Sequence, residues 1–232
     1  TFPVFLINSD EFALARKENK ISNGHLGFEV IANENITIIQ DLKRRDITIN
    51  AIAMEVLTGK IIDPFNGMKD LKNHVIRHVS NSFCEDPLRV YRTARFSAKF
   101  NFDIAKDTLS LMKILRDELN TLSQERVFAE LKKALATPIP SKFFNALKDT
   151  NLLDVHFKEI SNLISVIQPL KYHPEGDVYN HTMLVVDKVA KITDDESVIF
   201  CALTHDFGKA CTNPDILPSH IGHEEKGIQI IQ

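Results

Sequence analysis

The chain has 232 residues, of which 44% are hydrophobic and 25% are charged, and its formal net charge is −3. These values indicate a globular protein long enough for two domains, without the overall positive charge of many nucleic-acid-binding proteins. No run of about 18 apolar residues occurs, and no basic and apolar leader opens the chain, so neither a membrane span nor secretion is predicted. Three cysteines (Cys84, Cys201 and Cys211) form no close pair, which argues against disulfides or structural zinc and favours a reducing cytoplasm.

The beginning of the chain predicts a small sheet. Short apolar runs at residues 4–7 and 12–16 flank Asn8, Ser9 and Asp10, a composition typical of a tight turn, so we expect a hairpin. Residues 19–27 contain two glycines and few apolar side chains, and they predict a flexible loop before a further strand at 28–32.

The next part of the chain predicts helices. Thr37 and Gln40 have the spacing of a capping box, so a helix should begin after Thr37 and carry the charged residues 41–46. Residues 63–67 read Asp-Pro-Phe-Asn-Gly and predict a turn, after which the pattern is helical to about residue 160. Predicted N-caps and helix breakers within this region are Ser123, Ser141, Pro138 and Pro140.

Three arginines at three-residue spacing, Arg89, Arg92 and Arg95, follow Asp86 and Pro87. Proline suits the first helical turn and aspartate suits the cap before it, so a helix should start here. At about 1.5 Å rise per residue, the outer two arginines lie roughly 9 Å apart along the helix, about the length of a nucleotide. Guanidinium groups bind base edges and phosphates, although a solvated basic face on an ordinary helix is the alternative.

A second charged pair, Arg45 and Asp46, leads directly into the apolar residues 47–51. This arrangement predicts a pair held at the rim of the core and facing a cleft, where the arginine can neutralise phosphate oxygens and the aspartate can accept from a ribose hydroxyl. The alternative is the charged end of a helix.

The C-terminal part contains His181, the adjacent pair His205 and Asp206, and then His220 and His223. An adjacent His and Asp at a helix end, with an earlier helical His, resemble the HD-domain metal phosphohydrolases. Imidazole and carboxylate suit divalent metals such as Ni²⁺, Mn²⁺ or Mg²⁺, which activate a bound water. For any one of these histidines a structural role is the alternative, and it weighs most for His220 and His223.

Taken together, the motifs resemble bacterial CCA-adding enzymes, the class II tRNA nucleotidyltransferase and poly(A) polymerase family. The resemblance covers essentially the whole chain and is carried by residues 11–16, 43–51, 63–67, 78–80 with Phe83, 85–89 and 125–127. It implies addition of C, C and A to the 3′ end of tRNA from CTP and ATP. It also implies an α+β fold with the remainder of a nucleotidyltransferase head, a short mixed sheet with helices, at 1–66. A helical nucleotide- and tRNA-binding body at 67–165 and an HD domain at 170–232 would follow.

The resemblance assigns roles to single residues. Its nucleotide-binding positions are Arg45, Asp46, Asp86, Arg89, Arg92 and Arg95. Among these, Asp86 and Arg89 match residues that read the base edge, and the remaining arginines match contacts to the nucleotide with its phosphates as targets. Glu11 matches a carboxylate beside the catalytic strand that assists metal binding. Residues 17–27 match a flexible element that moves between C and A addition.

The family's catalytic metal site is expected to lie outside this chain. In the family, two aspartates in a D-x-D pattern after a Gly-Gly loop hold Mg²⁺, and neither element occurs here. We therefore expect them upstream of Thr1, in a longer protein. The HD segment implies a Ni²⁺- or Mn²⁺-dependent phosphatase acting on 2′,3′-cyclic phosphates and 2′-nucleotides, with its last metal-binding aspartate downstream of Gln232.

Further expectations concern partners and alternatives. The partners implied are the tRNA 3′ end, CTP and ATP, in a monomer or homodimer. A poly(A) polymerase of the same family shares the acidic and arginine motifs, although the HD-like segment favours the CCA-adding enzyme. A binding module without turnover is the other alternative, because the D-x-D pattern is missing.

Overall fold

The computed structural model describes residues 4–8, 10–20, 28–32 and 35–231, which form an α+β protein with small sheets at its start and helices thereafter. The strands are β1 (Phe5–Ile7), β2 (Asp10–Phe12), β3 (Arg16–Lys20), β4 (Phe28–Ala32), β5 (Ala53–Met54), β6 (Ile61–Ile62), β7 (Val75–Ile76) and β8 (Asp103–Ile104). The helices are α1 (Ile38–Lys43), α2 (Gly67–Lys72), α3 (Leu88–Phe100), α4 (Lys106–Ile114), α5 (Arg116–Leu119), α6 (Gln124–Leu135), α7 (Ser141–Asp149), α8 (Leu153–His156), α9 (Lys158–Ser161), α10 (Val178–Ala190), α11 (Glu196–Thr204) and α12 (His223–Ile231). None of the helices in the described part of the chain is long and apolar enough to cross a bilayer.

Two antiparallel pairs form the beginning of the fold. Strands β1 and β2 pair with Phe5 opposite Phe12, which confirms the predicted hairpin. Strands β3 and β4 pair with Arg16 opposite Ala32, so the prediction of a flexible loop is wrong for residues 19 and 20, which belong to β3. Main-chain pairing with a neighbouring strand outweighs a polar composition of this kind. The rest of that predicted loop, residues 21–27, lies outside the described residues.

The helix α1 begins as predicted but ends early. Thr37 Oγ1 accepts from the Gln40 amide, and Gln40 Oε1 accepts from the Thr37 amide, which confirms the capping box. The helix ends at Lys43, so the prediction that it carries Arg45 and Asp46 is wrong. The Asp46 carboxylate accepts from the next amide along the chain at 2.9 Å, and such a local bond competes with continuation of a helix.

The predicted turn at 63–67 positions α2 against the segment that follows α1. The Asp63 carboxylate accepts from the amides of Gly67 and Met68 at 2.7 and 2.9 Å. A Cβ atom at Gly67 would lie 2.3 Å from the carbonyl oxygen of Thr48, so only glycine allows this close approach. The Thr48 hydroxyl also donates to Asp70 of α2, which holds the segment that follows α1 against α2.

The helical body surrounds α3, which packs against α6 and α7. Tyr91 is fully buried, lies edge-on to Phe157, and shares a hydrogen bond of 2.7 Å with His156. The prediction that the body is helical throughout is wrong, because β7 and β8 form a short parallel pair. This pair connects the residues before α3 to those after it. Helix α3 is therefore the central element that positions the arginines.

The C-terminal helices share the core of the body. Ser123 precedes α6 as predicted, but Ser141 is the first residue of α7 and Pro140 precedes it, so the predicted N-cap role of Ser141 is wrong. Instead, the amide and hydroxyl of Ser141 donate to Asp187 of α10 at 2.9 and 2.6 Å. One apolar cluster runs from Phe83 to Phe207. The predicted division at 165–170 is therefore not marked by a gap in the core, and it stays a prediction.

Candidate nucleotide cleft and histidine cluster

A cleft of about 500 Å³ lies between the end of α1 and the first turns of α3 and α6. Its lining residues are Arg16, Arg44, Arg45, Asp46, Asn50, Asp86, Leu88, Arg89, Arg92 and Arg126. Six of these ten side chains are guanidinium groups, although the whole chain has a net charge of −3. The structure thus concentrates positive charge at one concave surface, which is the arrangement that binds a polyphosphate.

Asp41 is a buried carboxylate that orients two of the arginines. Its Oδ1 accepts from Arg44 Nε at 3.0 Å and Nη2 at 2.7 Å, and its Oδ2 accepts from Arg45 Nη2 at 3.1 Å. The Arg16 amide also donates to it, at 3.2 Å. Burial alone raises the pKa of Asp41, but these hydrogen bonds and the charge of Arg44 lower it below its ordinary value. Asp41 is therefore charged at neutral pH and holds the arginines at the cleft.

Asp46 and Arg92 form a second pair inside the cleft. Arg92 Nε and Nη2 both lie 2.7 Å from Asp46 Oδ2, while Asn50 donates to Oδ1 at 3.0 Å. Burial alone raises the pKa of Asp46, and the charge of Arg92 with the hydrogen bonds from Asn50, Arg92 and Ile47 lowers it. The predicted position of Asp46 at the rim of the core is confirmed, since it is 6% exposed and lines the cleft.

The side chains of the two residues predicted to read a base edge are held by hydrogen bonds to other residues of the protein. Arg89 donates to the carbonyl oxygens of Ser82 and Arg44, the latter at 2.6 Å. Asp86 accepts from the Leu88 amide and from Arg126 Nη2, both at 3.1 Å. The N-cap of α3 is Pro87, so the prediction of Asp86 as the cap is wrong by one residue, although its carboxylate still accepts from the first helical amide. Both residues line the cleft, with their side chains fixed by these bonds.

Arg95 is not among the residues that line the cleft, and its predicted contact with the nucleotide stays a prediction. Its Nε donates to Glu130 of α6 at 2.6 Å, and its guanidinium lies 4.3 Å from the Phe96 ring centroid. The physical reason is helical phase, because residues are about 100° apart around an α-helix and Arg95 is thus about 120° from Arg89. Two residues three positions apart differ by about 60° around the helix and share a face, whereas residues six positions apart differ by about 120° and do not.

Several lining residues were not predicted as site residues. Arg16, Arg44 and Arg126 belong to segments that carry the family resemblance, and this position in the sequence is the signal that can identify them. Glu11 lies on the exposed strand β2, opposite Leu6, and is not among the residues that line the cleft. Its predicted catalytic role stays a prediction.

The second candidate site is a cluster of histidines around the buried carboxylate of Asp206. The Nε2 atoms of His181, His205 and His223 lie 3.9, 3.2 and 3.4 Å from its carboxylate oxygens. Lys209 Nζ lies 2.8 Å from Oδ2. Burial alone raises the pKa of Asp206, but hydrogen bonds from His205 and Lys209 lower it well below its ordinary value. The predicted grouping of His181, His205 and Asp206 is thus brought together, and His223 joins it.

Each of the three histidines has its other ring nitrogen at a hydrogen-bond acceptor. His205 Nδ1 lies 2.8 Å from the Ala202 carbonyl oxygen, and His223 Nδ1 lies 2.7 Å from the His220 carbonyl oxygen. His181 Nδ1 lies 2.5 Å from a carboxylate oxygen of Glu175. Burial lowers the pKa of His205, but its hydrogen bond to Asp206 and the charge of Asp206 raise it above its ordinary value, so a metal would replace the proton on Nε2. An imidazole that donates through Nδ1 binds a metal through a deprotonated Nε2. The donor set therefore fits a divalent cation.

His220 lies apart from the contacts around Asp206, and its predicted role as a possible ligand stays a prediction. Its Nδ1 lies 2.7 Å from Thr212 Oγ1 and its Nε2 lies 3.0 Å from the carbonyl oxygen of Ile167. Both ring nitrogens are bonded, and the side chain ties the segment before α12 to the loop before α10.

The nucleotide cleft differs from the cluster in its fit to a metal. Among its lining residues the carboxylates are Asp46 and Asp86, and each is paired with an arginine. These lining residues therefore do not fit a Mg²⁺ site, whereas guanidinium groups fit phosphate.

Comparison with known families gives two matches. The family described as "Poly A polymerase head domain" matches residues 6–77, and the family described as "Probable RNA and SrmB- binding site of polymerase A" matches residues 101–164. The first match extends beyond residue 66, where the head was predicted to end.

Individual relatives match over more of the chain. The Multifunctional CCA protein of Methylococcus capsulatus is 48% identical over 98% of this chain and 55% of the relative, so the chain spans about half the length of that protein. A solved CCA-adding enzyme in its apo form II is 30% identical, with a TM-score of 0.57 over 81% of this chain and 47% of the other. A complex of a CCA-adding enzyme with ATP is 27% identical, with a TM-score of 0.52 over 70% of this chain and 39% of the other.

Proposed function

The chain belongs to the tRNA nucleotidyltransferase and poly(A) polymerase family, and from this membership we propose that it binds and selects CTP and ATP for addition of CCA to the 3′ end of tRNA. The observation that carries the proposal is the arginine-lined cleft of about 500 Å³. Its size suits a nucleoside triphosphate, and its charge suits the triphosphate more than a neutral substrate.

We assign the phosphates to the side of the cleft formed by Arg45 and Arg92. Arg45 is half exposed, with a side chain 46% accessible, so it can turn to a ligand while Asp41 holds one of its nitrogens. Arg92 is 34% accessible and keeps its charge next to Asp46. We assign Asp46 to a ribose hydroxyl, as an acceptor next to the phosphate-binding arginines. Contacts to phosphate carry affinity with little information about the base.

We assign base selection to the other side, formed by Asp86 and Arg89. A carboxylate and a guanidinium offer acceptors and donors comparable to those of a pairing base, and a paired contact discriminates by about 1–3 kcal/mol. Arg126 supports this role because it holds Asp86 from α6. The bonds of Arg89 to two carbonyl oxygens fix its guanidinium, so the base must match a rigid edge.

The share of the reaction that these residues supply is binding and selection of the nucleotide. In the family a divalent metal, typically Mg²⁺, activates the attacking hydroxyl. The carboxylates that line the cleft are paired with arginines, so we assign them no role in holding that metal. Poly(A) synthesis and binding without turnover are the alternatives. Incubation of the chain, joined to the Gly-Gly and D-x-D segment of the family, with CTP, ATP and a tRNA lacking its CCA end separates them, since one CCA, a long adenosine tail or no incorporation is expected in the three cases.

The experiment on the cleft is a titration of this chain with CTP, ATP, GTP and UTP, followed calorimetrically. We expect CTP and ATP to bind more tightly than GTP and UTP. Asp86→Asn should reduce this preference about tenfold, within the 1–3 kcal/mol of a paired base edge. Arg92→Met should weaken all four alike, and Arg116→Met, at an exposed arginine outside the cleft, should change nothing. Equal binding of all four nucleotides by the unchanged chain would contradict the proposal.

We also propose that the histidine cluster is the metal site of a phosphohydrolase that acts on 2′,3′-cyclic phosphates and 2′-nucleotides. The convergence of three Nε2 atoms on Asp206 favours this second activity. When bound, a metal such as Ni²⁺ or Mn²⁺ supplies an activated water. His181, His205, Asp206 and His223 would hold the metal, and Lys209 would neutralise the carboxylate in its absence.

The same titration format tests the cluster, with Mn²⁺ as the probe. Asp206→Asn should weaken Mn²⁺ binding at least about 100-fold, because it removes the charged ligand, and it should leave CTP binding intact. Asp215→Asn, at an exposed residue outside the cluster, is the control. Unchanged Mn²⁺ affinity in Asp206→Asn would contradict the metal site. The cytoplasmic location and the monomeric or dimeric state stay predictions.

A further inference from the structure

The segment before α10 places one carboxylate between two histidines. Glu175 Oε1 lies 2.5 Å from His181 Nδ1 and 3.2 Å from His173 Nδ1. The rings of the two histidines are perpendicular, with centroids 4.7 Å apart. On its other side, His181 presents Nε2 at 3.9 Å from Asp206 Oδ2 and lies with its ring centroid 5.6 Å from that of His205. His181 therefore links Glu175 to the cluster through its two different ring nitrogens.

The contact with Glu175 determines which nitrogen of His181 carries the proton. Glu175 Oε1 lies within hydrogen-bond distance of both Nδ1 atoms, and an ionised carboxylate only accepts hydrogen bonds. A neutral His181 that donates to it must carry its proton on Nδ1. The lone pair of Nε2 then faces Asp206 and His205.

His181 differs from the other two histidines of the cluster in what holds it. His205 and His223 donate to backbone carbonyl oxygens, which no substitution removes. The acceptor for His181 is a side chain, in a segment that stands outside the proposed ligand set. The orientation of His181 thus depends on one exchangeable group.

We infer that Glu175 is the positioning residue of the cluster, which fixes His181 in the tautomer and orientation that offer Nε2 to a divalent cation. The inference rests on the proposed metal site. Glu175 itself is not a ligand of that cation, because it contacts the ring nitrogen that faces away from Asp206. His173 shares the same oxygen and keeps the carboxylate in place.

The test uses Glu175→Leu, which removes the acceptor at similar volume, and Glu175→Gln, which keeps an acceptor oxygen. Nitrogen-15 NMR of the metal-free protein reports the tautomer of His181, and titration with Mn²⁺ reports affinity. We expect Glu175→Leu to lose the Nδ1-protonated preference of His181 and to bind Mn²⁺ about 10–100-fold more weakly. Glu175→Gln should restore part of both. Glu159→Leu, at an exposed glutamate of α9, is the matched control and should resemble the unchanged chain.

The outcomes separate the inference from the function on which it rests. An unchanged His181 tautomer in Glu175→Leu overturns the positioning role. Loss of Mn²⁺ binding with an unchanged tautomer does so as well, because it makes Glu175 a direct ligand, in a site formed with His173 and His181. If the unchanged chain binds no Mn²⁺, the proposed metal site fails, while the NMR result still decides what Glu175 does.

Discussion

The nucleotide cleft and the histidine cluster use the same pairing of buried carboxylates and nitrogen bases in opposite ways. In the cleft, the carboxylates of Asp41 and Asp46 hold arginines, so the surface offered to a ligand is cationic through guanidinium groups that stay charged at any pH of interest. In the cluster, Asp206 lies at the centre and three imidazoles surround it with their Nε2 atoms, so this donor set suits a metal cation. The comparison shows that the kind of ligand a site suits depends on which member of an ion pair, the carboxylate or the nitrogen base, faces the ligand.

The two sites also differ in how they are assembled. The cleft combines the end of α1 with the first turns of α3 and α6, from residues 16 to 126. The cluster comes from α10, the end of α11 and the start of α12, within residues 181–223. Helices of the body connect them through one core.

The largest effect, a loss of stability, is expected from breaking the ion pair between Arg95 and Glu130, which lies outside the cleft lining. Glu130→Gln leaves the guanidinium of Arg95 buried without its charged partner, which should lower the free energy of unfolding by about 3 kcal/mol. Urea unfolding measures this loss. Triphosphate and Mn²⁺ affinities of the folded protein should remain within about twofold. Arg92→Met, with similar loss of a charged pair, serves as the matched variant that does weaken nucleotides. A loss of nucleotide affinity in Glu130→Gln equal to that in Arg92→Met would place Arg95 at the ligand.

A smaller effect is expected from the carboxylate that orients the arginines. Asp41→Asn keeps the size of the side chain and removes the charge that holds Arg44 and Arg45, so triphosphate affinity should fall about tenfold, or about 1.4 kcal/mol. Calorimetric titration should show the same loss for CTP and ATP. Mn²⁺ affinity of the cluster should stay constant, and a parallel loss there would show that the two sites are not independent.

The smallest effect is expected in the dependence of stability on pH, through the carboxylate of Asp46. The folded-state pKa of Asp46 lies below its ordinary value, so its stabilising contribution is present above the unfolded pKa of about 3.9 and is lost as the pH falls through the folded pKa. The urea midpoint of the unchanged chain should therefore decrease more steeply between about pH 5 and pH 3 than that of Asp46→Asn. Equal slopes in the two proteins would mean that the pair with Arg92 contributes nothing to the stability of the cleft.

Local patterns determined much of the fold and part of each site. The capping box at Thr37, the hairpin at β1 and β2 and the turn before Gly67 depend on neighbours within a few residues, so their residue types specify them. The family motifs placed Arg45, Asp46, Asp86, Arg89 and Arg92 together, and these five line one cleft. The grouping of His181 with His205 and Asp206 followed from the resemblance to HD-domain phosphohydrolases.

The tertiary structure alone decided which charged groups face a ligand. Arg95 has the spacing of its two neighbours, but the phase of α3 turns it to Glu130, and His220 has both ring nitrogens bonded while His223 reaches Asp206. Arg126 joins the cleft from a helix 40 residues beyond Asp86. Periodicity in the sequence reports the face of one helix, whereas the partner of a charged side chain depends on which other helix packs there. That packing is set by contacts between residues far apart in the chain, which no local pattern contains.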